Sequence, residues 1–255
     1  MKKVVVIPVY KLKLTQFEVF SLKACFRILC KHPIVFVAPH NLDLSYYQFI
    51  LNTSFTVERF SSFYFEGICG YNKLLLSEEF YGRFHEYDYM LIYQLDCYVF
   101  RDEYDLWAES GYDFIGAPWL LFHTHKMRIR SLFNFYANRL NSFINNEICK
   151  EDLNYRVGNG GFSLRKTSSF LKVLENPDKT SVDGFYGNDS LSCYNEDVYW
   201  SIHARELKKP TYREACRFSL ETSPELGFSI NNNSLPFGCH GFERYLYFWR
   251  QHIQL

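Results

Sequence analysis

Apolar residues change their spacing from stretch to stretch along this chain. "KVVVIPVY" (3–10) is a short β-branched run, the composition of a buried strand. The segment after it, "LTQFEVFSLKACFRILCKHP", puts Phe17, Phe20, Ala24, Cys25, Ile28 and Leu29 at helical spacing. Thr15 and Glu18 are placed there as a capping box, and Pro33 closes the segment. The alternation continues with strand "IVFVAP" (34–39), helix "LSYYQFILN", strand "FTVERF", one helix over "GYNKLLLSEEFYGRF" (70–84), and strand "YDYMLIYQL" running into Asp96. Strands alternating with helices predict an α/β fold with a mostly parallel central sheet and helices on both faces. Such sheets bind ligands beyond the carboxyl ends of their strands, where Pro8, Tyr10 and Asp96 fall.

Past "YDFIGAPW" (112–119) the pattern changes. From Phe114 to Asn146 there is no acidic residue, while Lys126, Arg128, Arg130 and Arg139 interleave with Phe133, Phe135, Tyr136 and Phe143, so 120–156 reads as a basic, aromatic insertion. "VGNGGFSLRK" then reads as a glycine-rich turn leading into a strand, and "TSSFLKVLE" and "NEDVYWSIHARELK" as helices. With no repeat, low-complexity tract or linker, 1–255 is expected to form a single domain.

Composition narrows the picture. With 28 basic and 28 acidic residues the net charge is zero, so no overall field draws nucleic acid, and none is expected as a partner. Lys2 and Lys3 precede an apolar run broken by Pro8 and Tyr10, too short for the core of a secretory signal or a membrane span. The 8 cysteines are scattered with no CxxC pair, which points to reduced thiols and a cytoplasmic protein. Aromatic residues reach 19%, enough to fill the core and also to line a groove for flat or sugar-like ligands.

Four places can carry chemistry. Asp96 either caps the turn after its strand or meets a ligand. "GNGG" sets Gly158, Gly160 and Gly161 around Asn159, as a plain turn or as a close backbone approach to a ligand. It is not GxGxxG, and GxxxxGK[ST] is absent, which removes the dinucleotide fingerprint and the phosphate-binding loop. Glu196 and Asp197 stand at a helix start, where the macrodipole alone accounts for acids; the alternative is a general base within reach of an acceptor hydroxyl. His240, inside "GCHG", is either structural or shares a divalent cation with a carboxylate and a pyrophosphate. No HExxH spacing supports a zinc enzyme.

In this order "PVYK", "GYNKLLLS", "LIYQLDCYVF", "YDFIGAPW", "VGNGGFSLRK", "NEDVYW", "FSLE" and "PFGCHGFERY" resemble nucleotide-sugar-dependent glycosyltransferases of the GT-A type. More narrowly, they resemble a bacterial family known as an uncharacterised glycosyltransferase-like domain. The resemblance covers nearly the whole chain except the basic insertion. It implies a single GT-A-like (Rossmann-like) domain that passes a sugar from a nucleoside diphosphate donor, a UDP-sugar by preference, to a glycan acceptor of a bacterial surface polysaccharide, capsule or lipopolysaccharide, with inversion.

Position by position, the resemblance implies that Pro8 and Tyr10 border the base, and that Tyr71, Asn72 and Lys73 lie near base, ribose or phosphates. Asp96 matches the first aspartate of the DxD signature, and Gly160 and Gly161 would sit under the donor sugar or acceptor. Trp119, Asn159 and Glu221 would contact acceptor or sugar. Asp197, or else Glu196, would take the acceptor's proton, and His240 would complete a metal site with Asp96.

The chain departs from the DxD pattern at Tyr98, where a second aspartate is expected. Either Asp96, His240, phosphates and water hold Mn²⁺ or Mg²⁺, the preferred reading, or Lys73 or Arg165 faces the phosphates without metal. Lys126, Arg128 and Arg130 with "SLFNFYANRLNSF" point to peripheral contact with the inner face of an anionic membrane through 123–143, where lipid-linked acceptors reside, or to a solvated lid. Two rival functions remain: a sugar-phosphate nucleotidyltransferase, for which a basic, glycine-rich N-terminal loop is missing, and a catalytically inactive glycan-binding module.

Overall fold

The computed structural model describes residues 1–120, 150–175 and 195–254. The residues proposed for membrane contact, Lys126, Arg128, Arg130 and the segment 131–143, lie outside the described residues. The strands are β1 (Lys3–Pro8), β2 (Ile34–Pro39), β3 (Thr56–Phe60), β4 (Tyr89–Tyr93), β5 (Tyr98–Val99), β6 (Phe114–Pro118), β7 (Val157–Lys166), β8 (Ser219–Leu220) and β9 (Gly238–Cys239). Among the described residues a six-stranded sheet runs in the order β3-β2-β1-β4-β7-β6. β1 pairs in parallel with β2 and β4, and β2 with β3, while β7 runs antiparallel to both β4 and β6.

The β-branched runs become central strands because both of their faces are covered. Val4 and Val6 enter one core with Val35, Val37, Met90 and Ile92, whereas Val5 and Ile7 enter the opposite one with Phe36, Ala38, Leu91 and Tyr93. The first helix, Gln16–Ile28, carries the expected capping box: the Glu18 amide donates to Thr15 Oγ1 (3.2 Å) and the Thr15 amide to Glu18 Oε2 (2.8 Å). A cap of this kind stabilises a helix by about 1 kcal/mol.

The structure corrects the sequence reading at three elements. The single helix expected over 70–84 is two, Gly67–Leu75 and Glu78–Arg83, because Ser77 Oγ accepts from the Phe80 amide (3.2 Å) and starts a new helix. "GNGG" is not a turn but the interior of the long strand β7, which shifts register against β6 between Ile115 and Pro118. Gly158 holds φ +146 there, and a Cβ on it would press on the Phe114 ring. The helix at 195–208 is a short turn, Glu196–Val198, followed by a π-turn, Tyr199–His203.

A second, three-stranded sheet, β5-β9-β8, sits where β4 ends. Asp96 precedes β5, Glu221 follows β8 and His240 follows β9, so the pairing of Tyr98 with Cys239 and of Leu220 with Cys239 brings three residues far apart in sequence to one edge. The Phe242 amide donates to the Asp96 carbonyl (3.3 Å) and the His240 amide to the Leu220 carbonyl (3.0 Å). Among the described residues, Cys25, Cys30, Cys69, Cys97, Cys216 and Cys239 form no disulfide. Among the described residues no helix is long and apolar enough to cross a membrane.

Candidate active site

A cleft of about 960 Å³ opens at the carboxyl ends of β1 and β4, between β7, the second sheet and the helix Gly67–Leu75. Pro8, Tyr10, Tyr71, Asn72, Asp96, Trp119, Asn159, Gly160, Gly161, Glu196, Asp197, Glu221 and His240 all line it. Lys73 does not: its Nζ stands 5.1 Å from the Phe63 ring centre, because its neighbours Tyr71 and Asn72 occupy the cleft face of the helix. Arg165, on β7, does not line the cleft either: the side chain is fully buried and its guanidinium is paired with Glu196.

His240 anchors one end of the site. Its Nε2 lies 3.2 Å from Asp96 Oδ1 and its Nδ1 lies 3.3 Å from Glu221 Oε1. Both ring nitrogens are buried without a well-aligned hydrogen-bond partner, so these are close ionic contacts rather than ideal hydrogen bonds. Burial favours the neutral ring, but the two flanking carboxylates outweigh it and push the His240 pKa well above its usual value. Burial opposes ionisation of Asp96 too, yet His240, and then Arg244, hold its carboxyl below the usual range. The ring rests on Gly161, where any Cβ would overlap it.

Asp197 anchors the other end. The amide of Gly160 donates to its Oδ2 (3.3 Å) and that of Val198 to its Oδ1 (2.8 Å). Burial, with Glu196 and Glu221 nearby, raises its pKa to about 7 against those two bonds. Glu196 is differently committed. Arg165 grips it with both nitrogens, Nη1 to Oε2 (3.0 Å) and Nη2 to Oε1 (2.9 Å), and Nη1 also donates to the Tyr81 hydroxyl (2.8 Å). Each Glu196 oxygen thus takes one bond of a buried, two-pronged ion pair, whereas the Asp197 carboxylate has no cationic partner of this kind among the described contacts. Asn72 completes the bracket, accepting from the Glu196 amide (3.1 Å) and donating to Asn195 Oδ1 (3.3 Å).

The Asp96–His240 pair fits a divalent cation. Two neighbouring ligands of an octahedral ion with bonds of about 2.0–2.1 Å stand about 3 Å apart, close to the separation of Nε2 and Oδ1, and phosphates and water complete such a shell. Cys97 Sγ lies in the same cluster. It donates to the Gly161 carbonyl (3.1 Å), and burial pushes its pKa well above the ordinary thiol value.

Three cleft residues had no assigned role in the sequence reading. Arg244 donates from Nη1 to Glu221 Oε1 (3.2 Å) and stands 3.9 Å from Asp96 Oδ2. Lys11 donates to Glu18, which also lines the cleft. Gln94 donates to the Tyr71 hydroxyl (3.1 Å). Arg244 sits four residues after His240, in the short 3₁₀ turn Phe242–Tyr245 that Gly241 starts at φ +60, which is the signal that could have found it.

This architecture defines the class: it is the fold of the GT-A glycosyltransferases. Mouse xyloside xylosyltransferase 1 aligns at a TM-score of 0.53 and 9% identity over 94% of this chain and 98% of its own. Core-mannan synthase A from Aspergillus fumigatus, in its Mn/GDP form, aligns at 0.52 and 10% identity over 84% of this chain and 73% of its own. The glycosyltransferase GlyE of Streptococcus pneumoniae gives 0.52 and 11% identity, with this chain covered to 94% and spanning 54% of GlyE. At these identities the likeness is one of fold. Within that fold the chain belongs to the family described as "Protein of unknown function (DUF5672)", whose sequence model matches residues 54–240. No curated protein matches the sequence.

Proposed function

We propose that this protein is a glycosyltransferase that moves a sugar from a nucleoside diphosphate to a glycan hydroxyl. One observation carries the reading: the Asp96–His240 pair and the Asp197 carboxylate line one cleft and meet adjacent residues of β7, Asp197 bonded to Gly160 and the His240 ring resting on Gly161. The reaction makes two demands, relief of negative charge on the leaving diphosphate and removal of a proton from the attacking oxygen.

Asp197 answers the second. Its pKa of about 7 keeps a useful fraction ionised at neutral pH while making it a stronger base than an ordinary carboxylate. The acceptor oxygen attacks the anomeric carbon, its proton passes to Asp197, and the bond from that carbon to the diphosphate oxygen breaks with inversion. Arg244 and Lys11 are the Arg and Lys side chains of the described cleft wall, and in this reading they would offset the departing charge. A divalent cation held by Asp96 and His240 would supply Lewis-acid neutralisation of the diphosphate.

A UDP-sugar donor, an acceptor in a bacterial surface polysaccharide, and peripheral membrane contact through 123–143 complete the proposal; they rest on the sequence resemblance and on the basic insertion. The test is a thermal-shift panel of UDP, GDP, CMP and dTDP, each with and without Mn²⁺, since ligands that bind only the folded state raise its melting temperature. UDP should give the largest shift, increased by Mn²⁺. An absence of any nucleotide shift overturns the reading.

A further inference from the structure

Glu221 was expected at the acceptor, but its surroundings suit a different task. Its side chain is only 6% exposed, against 35% for Asp96, although both flank His240. Every contact it makes is internal: Oε2 accepts from Asn159 Nδ2, and Oε1 accepts from Arg244 and lies beside His240 Nδ1. Asn159 is fixed in turn, its Oδ1 accepting from the Gly161 amide (3.3 Å). The two carboxylates on the ring are therefore unequal: Asp96 is open to the cleft, whereas Glu221, although part of the cleft wall, is almost wholly covered by its partners.

An imidazole stacked on a glycine is held in plane but not in flip, because exchanging the two edges of the ring leaves its outline nearly unchanged. A buried acceptor on one edge removes that freedom. We propose that Glu221 is a positioning residue: its Oε1, 3.3 Å from Nδ1, attracts the protonated Nδ1 edge of the His240 ring and so keeps Nε2 turned toward Asp96 and the cation site. Asn159 and Arg244 hold Glu221 in place. This rests on the cation reading above. Carboxylates behind metal-binding histidines act in this way, and losing one typically weakens metal affinity by about 10–100-fold.

The experiment is calorimetric titration of Mn²⁺ into the full chain in the presence of UDP, for wild type, Glu221→Ala, Glu221→Gln, His240→Ala and the double variant with His240→Ala and Glu221→Ala. Glu221→Ala should weaken Mn²⁺ binding by at least about tenfold. Glu221→Gln, which keeps an oxygen for the Nδ1 proton, should lose less, and it carries the test if the alanine variant does not fold. In the His240→Ala background the second substitution should change Mn²⁺ affinity no further, an outcome that a merely structural Glu221 would not give. A Glu221→Ala protein that binds Mn²⁺ as tightly as wild type overturns this proposal alone. So does a loss of equal size with and without His240. A wild type that takes up no Mn²⁺ with UDP removes the cation reading and this proposal together.

Discussion

The imidazole of His240 lies so close to Gly161 that a Cβ at that position would overlap three ring atoms, whereas a Cβ on Gly160 would run into Glu196 Oε1. Adjacent glycines thus serve different ends of the site. Gly161→Ala should displace the His240 ring and lower Mn²⁺-supported nucleotide affinity by about tenfold or more, at an overpacking cost of about 1–3 kcal/mol. Gly160→Ala should leave that affinity closer to wild type and reduce turnover instead. Nucleotide titrations beside steady-state rates distinguish the two.

Asp197→Asn should reduce kcat by about 10²–10⁴-fold while donor binding persists, the loss expected when a positioned general base is removed. Because the base acts only when ionised and its pKa is raised to about 7, the wild-type rate should climb through neutrality as pH rises. A pH–rate profile that is flat from pH 5.5 to 8.5 would remove Asp197 from the role.

The same carboxylate should weaken the fold. Its folded pKa, about 7, exceeds its ordinary value of 3.8, so the stability it confers is full below the ordinary value and is lost as pH rises toward 7. Asp197→Asn should therefore melt higher than wild type at pH 8, by about 2–4 °C per kcal/mol regained, with the gap closing toward pH 4. Melting curves at the two pH values check the sign.

Arg165 and Glu196 form a buried pair with each other and Tyr81. Arg165→Met strands the Glu196 charge and should cost about 3–5 kcal/mol, whereas Arg165→Met combined with Glu196→Gln should recover much of that loss. Urea denaturation of both variants measures it.

The parallel half of the sheet was readable because its strands are buried on both sides and written in β-branched runs. "IVFVAP" became β2 without a residue gained or lost. The cleft residues at strand ends, Pro8, Tyr10 and Asp96, were legible for the same reason. What the sequence concealed depends on distant partners. "GNGG" looks like a turn until its neighbours are seen: Phe114 beside Gly158, Glu196 beside Gly160 and the His240 ring on Gly161, each in the space a side chain would need. Arg165 looked available to phosphates because nothing local reveals a carboxylate 31 residues away. That Glu221 also stands beside His240 was not legible, because the return of β9 beside β8 is invisible in a one-dimensional pattern.

Three consecutive residues of β7 touch the whole site: Asn159 holds Glu221, Gly160 holds Asp197, and Gly161 carries the His240 ring. The span between the proposed base and the leaving group is thus measured along a single rigid backbone, whose peptide planes do not stretch. Side chains elsewhere on the cleft wall can change, and with them the sugar or acceptor admitted, while this spacing stays constant. In the proposed reaction β7 works as a ruler, so selectivity is free to diverge between relatives without retuning the chemistry.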